Sequence, residues 1–433
     1  MSSNNINTNY SLWKFFPIII FAFSPKIDLV GFPGYWQGIR LDDIVILFCA
    51  IYFLISYKFK IYPNLINSKI FGFNLTIFFP YIVISSLIAE LSGAPHSMIL
   101  LLRYCEYMAL ILILNQLNPP TDKIILVFKI YILINFLIVL LQYFNLIGGF
   151  TSRGGCIIEQ TSSIYRCYDK ADITSICFFN CGYDFIKNYQ PAGQFLLNRV
   201  PGITGGPWEL SVNLAISFFG LVLFEKNLKK LIPYILMILI MMLIAQSRGI
   251  IFGFLAGSFF ILKDYKKTFK IIFFILIFLS LIYFLNYFNF REIFHNKFVL
   301  DYFTLIKLMI SIFSESLPSA DTFIGTGLES MYWRAESWHR SISTIKENNY
   351  LIIFGTGGSS LYEESLIIRV ITSYGIIGTL LACYLIRKLP LFFVIFLFVT
   401  GFTIDLFISF KIFLFTCLFL MVYFKNKKEI IKI

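Results

Sequence analysis

Long apolar runs separated by short connections leave this chain one environment in which to fold. A helix needs about 20 mostly apolar residues to cross a bilayer, fewer where the bilayer thins or the helix is broken. About twelve stretches meet that measure: 12–24, 41–57, 71–91, 97–117, 124–147, 207–224, 231–246, 249–262, 269–288, 364–386, 389–404 and 407–424. Hydrophobic residues make up 58% of the chain and charged residues only 14%. That balance belongs to an all-α polytopic integral membrane protein and excludes an ordinary soluble domain. The abundance of Phe, Ile, Asn, Lys and Tyr fits an AT-rich genome. No fixed-period repeat or low-complexity segment interrupts the pattern. The chain reads as one integral domain over 1–433, with two large insertions at 148–206 and 289–363.

The net charge of +12 would suit a nucleic-acid binder, but its placement argues against nucleic acid. Lysines collect in alternate connections: Lys58, Lys60 and Lys69; Lys123; Lys226, Lys229 and Lys230; Lys263, Lys266, Lys267 and Lys270. Arg387 with Lys388 and the tail Lys425, Lys427, Lys428 and Lys432 continue the series. Positive loops stay in the cytoplasm. Both termini are therefore expected in the cytoplasm of an inner-membrane protein, with both large insertions in the periplasm. No A-x-A-like cleavage site follows the first apolar stretch, so no removable signal peptide is expected.

The stretch 231–262 is too long for one span and short for two. Basic clusters on both sides require an even number of crossings. The break is expected at Gln246-Ser247-Arg248-Gly249, facing outward. Irregular backbone at membrane depth is tolerated only where it is buried in protein or lines a cavity. The bland alternative is a short hairpin capped by serine and arginine.

Arginine behaves differently from lysine here. Arg103, Arg199, Arg248, Arg334, Arg340 and Arg369 stand at the outer ends of apolar stretches or in the outer insertions. An ionised side chain at membrane depth costs at least ~2.5 kcal/mol, so its retention points to function. Arginine's planar fork meets two phosphate oxygens at once, which lysine cannot do. The pattern points to a site for an anionic lipid head group, against the alternative of snorkelling or ion-paired arginines.

Cys156, Cys167, Cys177 and Cys181 share the first insertion. An oxidising compartment would permit two disulfides in three connectivities, and the spacing fits structural zinc poorly. Cys49, Cys105, Cys383 and Cys417 lie in apolar stretches and read as small packing residues. His96, His295 and His339 are scattered, and His339 reads first as structural.

Four local patterns carry the specific signal. They are Arg199-Val-Pro-Gly-Ile-Thr-Gly-Gly-Pro207-Trp-Glu209, Gln246-Ser-Arg-Gly249, Arg334-x-x-x-Trp338 followed by Phe354-Gly355-Thr-Gly357-Gly358, and Glu364-Ser-Leu followed by Ser373-Tyr-Gly375-Ile-Ile-Gly378. In this order, over residues 195–380, they resemble the O-antigen polymerase and O-antigen ligase superfamily. The ligase branch is expected to carry His-Asn just before the helix that contains the Tyr-Gly-Ile-Ile-Gly segment. Tyr362-Glu363-Glu364-Ser365 stands there instead, which favours a repeat-unit polymerase. The alternatives are a ligase that hands glycan to lipid A core and a flippase or other transporter. Transporters often show two similar halves, and none is visible here.

The resemblance implies a GT-C-like fold and glycosyl transfer at the periplasmic face. The glycan would pass from undecaprenyl diphosphate to the next lipid-linked repeat unit. Membrane lipid, a chain-length regulator and a flippase are the implied partners. No cofactor is expected, and the sequence contains no DxD pair to hold a metal. Arginines are then the natural counter-charge for the departing diphosphate. Arg199, Arg248 and Arg334 come first, then Arg340 and Arg369, with Arg334, Arg340 and Trp338 also placed to meet sugar. Glu209 and Glu364 are the candidates for the base, with Glu363, Glu336 and His339 as rivals. The opposing reading is that these carboxylates pair with arginines and orient them. Arg103 and Glu106, three apart, read as an internal salt bridge. Asp42 and Asp43 read as carboxylates favoured by a helix N-terminus. Trp208 and Trp333 could stack on sugars or anchor at the membrane interface.

Overall fold

The computed structural model describes residues 12–24, 28–31, 39–56, 75–93, 98–144, 146–147, 177–178, 200–225, 228–245, 247–261, 304, 307–314, 316–323, 329–347, 349–357, 365–402, 404–406 and 409–431. The elements are α1 (Leu12–Phe23), β1 (Asp28–Gly31), β2 (Ile39–Arg40), α2 (Leu41–Ser56), α3 (Leu75–Leu91), α4 (Met98–Leu117), α5 (Thr121–Tyr143), β3 (Cys177–Phe178), α6 (Pro207–Phe224), α7 (Leu228–Ala245) and α8 (Arg248–Ile261). They continue with α9 (Glu329–Lys346), α10 (Asn349–Phe354), α11 (Leu366–Ile386), α12 (Leu391–Gly401) and α13 (Phe410–Ile431). Each expected apolar stretch except 269–288 coincides with one of these helices; 269–288 lies outside the described residues. The helix α13 outruns its apolar stretch because Lys425-Asn-Lys-Lys-Glu429 is rich in good helix formers.

By length and composition, α5, α6 and α11 can each cross a membrane, and several shorter helices are equally apolar. The surface agrees. Along α5, Leu126, Ile130, Leu133, Leu137 and Leu141 are exposed at steps of three and four residues. That spacing makes one continuous apolar stripe on a helix. Lipid is the environment that such a stripe suits.

The chain divides into two compact units. The first comprises Met1–Asn74, Cys105–Arg248 and Ser409–Ile433. Its centre is α6, buried from Pro207 to Val222 apart from Trp208, with α13, α5 and α7 packed around it. The ring of Tyr131 on α5 meets Phe415 on α13 at 4.4 Å between centroids. In this unit β1 pairs antiparallel with both β2 and β3. Gly31 faces Cys177 and Val30 faces Phe178, so the large first insertion is stitched to the α1–α2 connection. Two connections joined by backbone hydrogen bonds lie on the same side of a membrane.

The second unit comprises Leu75–Tyr104 and Gly249–Ile408. Two helices of the second insertion, α9 and α10, pack with α11. Tyr332, Ala335 and Trp338 project from one face of α9 into a core with Leu308, Ile312 and Phe323. Ser365 opens α11 as its N-cap and also donates to the Gly401 carbonyl at 3.1 Å.

The helix α11 is broken at Gly375, where φ is 59° and ψ is −162°. The carbonyls freed by the break, and the one at the end of α10, are taken up by the chain around them. Gly357 N–H donates to Ser373 O at 2.8 Å, and Thr356 N–H to Thr372 O at 2.9 Å. Tyr81 on α3 donates to the Tyr374 carbonyl, and Ser85 to the Phe354 carbonyl at 2.6 Å. The Gly-Thr-Gly segment and the Tyr-Gly-Ile-Ile-Gly helix, separate patterns in sequence, thus form one backbone splice. Neither the splice nor α9 and α10 was expected.

Candidate functional site

In the first unit, the site is the turn 200–206 and the start of α6. Pro201, Gly202, Gly205 and Gly206 deny this stretch a helix, and Pro207 at the first helical position restarts one. The turn is buried throughout, so its backbone groups need partners. Gln142 supplies two: its Oε1 accepts from Gly202 N–H at 2.9 Å and its Nε2 donates to Gly202 O at 3.1 Å. Asn135 Oδ1 accepts from Ile203 N–H at 3.1 Å. Thr204 Oγ1 bonds the carbonyls of Pro201 and Gly206 at 2.7 and 2.9 Å. Glu209 Oε2 accepts from Gly205 N–H at 2.9 Å, and its Oε1 accepts from the Ser409 hydroxyl at 2.5 Å. Lys411 Nζ donates to the Ile203 carbonyl at 3.2 Å.

This geometry bears on Glu209, expected as a base. The residue is 1% exposed, and each carboxylate oxygen is already an acceptor. A general base must reach the proton it removes. In this structure Glu209 fastens the turn. Arg199, one residue before the described turn, lies outside the described residues. The expected break in the stretch is present: α7 ends at Ala245 and α8 begins at Arg248. Ser247, between them, is buried, and its hydroxyl has no hydrogen-bond partner among the described residues. The backbone of Arg248 is described but its side chain is not.

Near the start of the chain, Asp42 and Asp43 occupy the first turn of α2, where the helix dipole favours carboxylates. Asp43 Oδ2 accepts from Arg40 N–H at 2.8 Å, and Arg40 Nε lies 4.0 Å from Asp42 Oδ1. Glu106 brings a third carboxylate, with ligand atoms within 4.8 Å of one another. Arg40, itself buried, already supplies a cation there.

In the second unit, Arg369 pairs with Asp405, a residue that no motif had marked. Both side chains are buried, at 7% and 1% exposure. Tyr104 and Tyr374 lie beside the pair, their rings 6.1 Å apart. Arg369 therefore carries a protein counter-charge, the ion-paired alternative for this residue. Removing one partner of a buried pair strands the other, at about 3–5 kcal/mol. Arg369→Met and Asp405→Leu should each lower the melting temperature in nanodiscs sharply, and the double variant should recover most of the loss. A double variant as unstable as the sum of the singles would contradict this.

The long α9 carries three more expected residues. Arg334 is half-buried and donates to Met331 Sδ at 3.7 Å. Arg340 is exposed and bonds Glu336 one turn earlier at 3.3 Å. Trp338 is 1% exposed, its ring set edge-on to Phe402, so its faces meet protein rather than sugar here. His339 Nδ1 lies 3.0 Å from the Ile312 carbonyl and ties α9 to the helical piece before it. Trp333 is exposed and Arg103 on α4 is buried. Glu363 and Glu364 lie outside the described residues; Glu364 immediately precedes the α11 cap.

Ser409, Lys411 and Asp405 are the functional candidates that motif reading missed. A signal existed for Lys411, a lone lysine inside the apolar stretch 407–424. Compared with family models, curated proteins and solved structures, the chain matches none.

Proposed function

We propose that the chain is a repeat-unit polymerase for O-antigen or a related surface polysaccharide, a metal-independent glycosyltransferase of the bacterial inner membrane. The glycan moves from undecaprenyl diphosphate to the non-reducing end of the next lipid-linked repeat unit at the periplasmic face. The acceptor hydroxyl attacks the anomeric carbon, the bond to the diphosphate breaks, and undecaprenyl diphosphate leaves with the charge. A carboxylate takes the hydroxyl proton. With Glu209 enclosed, Glu364 is the stronger candidate for that base.

One observation carries the reading. The long apolar stretch breaks just ahead of Arg248, which opens α8 beside a buried serine hydroxyl. A helix N-terminus offers free N–H groups and partial positive charge, which together suit a phosphate. Arg199 and Arg248 would supply formal charge there; Arg334 and Arg340, on α9, are candidates from the sequence pattern. The pairing of β1 with β3 and the meeting of the starts of α6 and α13 support one common side for these connections; the lysine pattern makes that side the outer one.

The test is a gel of surface polysaccharide from a strain lacking this chain beside one with it restored. A ladder that collapses to core plus one repeat unit is expected. Loss of every repeat, with lipid-linked polymer accumulating, would mean a ligase. An unchanged ladder would overturn the reading and turn attention to transport.

A further inference from the structure

The short helix α10 reads Asn349-Tyr-Leu-Ile-Ile-Phe354, apolar after its first residue, and Gly355-Thr356-Gly357 follows it. Lys346, Glu347 and Asn349, just before the apolar part, are exposed and polar. The contacts of α10 with α3 run in one direction. Leu351 packs with Ala89, two residues from the Leu91 end of α3. The Phe354 carbonyl accepts from Ser85, four residues further in, at 2.6 Å, and from Tyr81, four further again, at 3.1 Å. The helix α11 gives the same order. Thr356 N–H and Gly357 N–H donate to the carbonyls of Thr372 and Ser373, six and seven residues past its first residue, Leu366. At 1.5 Å of rise per residue, both helices put Phe354–Gly357 roughly 9–15 Å from the ends where the second insertion meets them.

That distance decides the surroundings. The helix α11 is long and apolar enough to cross a membrane. The hydrocarbon core is about 30 Å thick, so the segment reaches a third to a half of the way through it. By Ser365 the chain is back at the start of α11. Backbone at such depth must be satisfied by protein. The amides here meet that demand: Gly355 N–H donates to Leu351 O at 2.7 Å, and the next two donate across to α11. Meanwhile Tyr350, Ile352 and Ile353 are exposed. Water does not reach side chains at that level, whereas lipid tails do.

We infer that α10 and Gly355–Gly357 form a re-entrant segment, which enters the membrane from the side on which α11 begins and leaves by that same side. The face carrying Tyr350 and Ile353 is an interaction surface for phospholipid acyl chains. The second insertion is then anchored within the bilayer. The inference needs α11 to cross the membrane and does not need the polymerase reading.

The test uses the full chain in lipid nanodiscs. A charged, water-soluble maleimide is added to Arg340→Cys, Tyr350→Cys, Ile353→Cys and Leu380→Cys. Labelling is read at each engineered position by mass spectrometry, so the native cysteines do not interfere. All four side chains are exposed, and the substitutions leave the packing in place. Arg340 on α9 is the water reference, and Leu380 on α11 is the lipid reference. The thiolate is the reacting form and needs water, so Ile353→Cys should label about tenfold or more slowly than Arg340→Cys, at the rate of Leu380→Cys. Tyr350→Cys, nearer the surface, should fall between them. In a second arm, p-benzoylphenylalanine placed at position 353 should capture phospholipid on illumination. Labelling of Ile353→Cys as fast as Arg340→Cys would overturn the inference. Slow labelling with no lipid adduct would mean that protein covers this face, and would overturn the lipid contact. Fast labelling of Leu380→Cys would take α11 out of the membrane, and the re-entrant segment with it.

Discussion

Arg248→Ala is expected to abolish polymer while the protein accumulates in the membrane at its normal level. The residue opens α8, after a break in an otherwise continuous apolar stretch. Ala is at least as good a helix former, so the helix itself should survive. What disappears is the charge that would face the leaving diphosphate. Loss of one preorganised group of this kind costs about 10²–10³ in kcat, enough to erase a ladder on a gel. Arg248→Lys separates two forms of the idea. A lysine keeps the charge but not the two-pronged contact, so it should fail as well. Full activity in the lysine variant would reduce Arg248 to a point charge. Normal polymer from the alanine variant would remove it from the site.

Gly375→Ala is expected to have the largest effect on stability. The backbone there has φ 59° and ψ −162°, which a side chain rarely tolerates. Strain of that kind costs about 1–3 kcal/mol on its own. Space is also lacking: an added Cβ would stand 2.5 Å from the Ile353 carbonyl oxygen and 2.6 Å from Gly355 N. Gly355 N–H already donates to Leu351 O, and the next two residues, Thr356 and Gly357, are bonded across the splice, so this backbone cannot retreat cheaply. A fall in melting temperature in nanodiscs, with loss of monodisperse protein, should follow. Ile376→Ala is the control, because that side chain is exposed and its removal should cost little. Equal melting temperatures for the two variants would show that α11 can close over the break.

The helices were legible because run length and alternating lysines report directly on membrane crossing. The break before Arg248 was legible for the same reason, since the flanking charges required an even number of crossings. The second insertion held helical signal too, in the spacing of Tyr332, Ala335 and Trp338. Pairings were another matter. Nothing local tells Arg369 that Asp405 lies beside it, or Glu209 that Ser409 does. Such partners are chosen by how helices pack, and packing distance is unrelated to distance along the chain. Motif order also concealed that Gly355-Thr-Gly357 would run against residues 372–375, because that contact depends on positive φ at three glycines. Trp338 shows the converse hazard, a residue type that suits sugars but is consumed by the core.

The burial of α6 also has a consequence for biogenesis. This helix brings Glu209, Ser211, Asn213 and Ser217 into the membrane, all of them buried in the finished protein. A nascent chain meets lipid before it meets its later partners, and these groups suit lipid poorly. Much of the shelter for α6 comes from α13, at the far end of the chain. At ~5–20 residues per second, the ribosome needs on the order of ten to forty seconds to reach it. Over that interval α6 depends on α5 and α7, or on a chaperone of the insertion machinery. Deleting α13 would leave it an orphan, a natural target for membrane proteases.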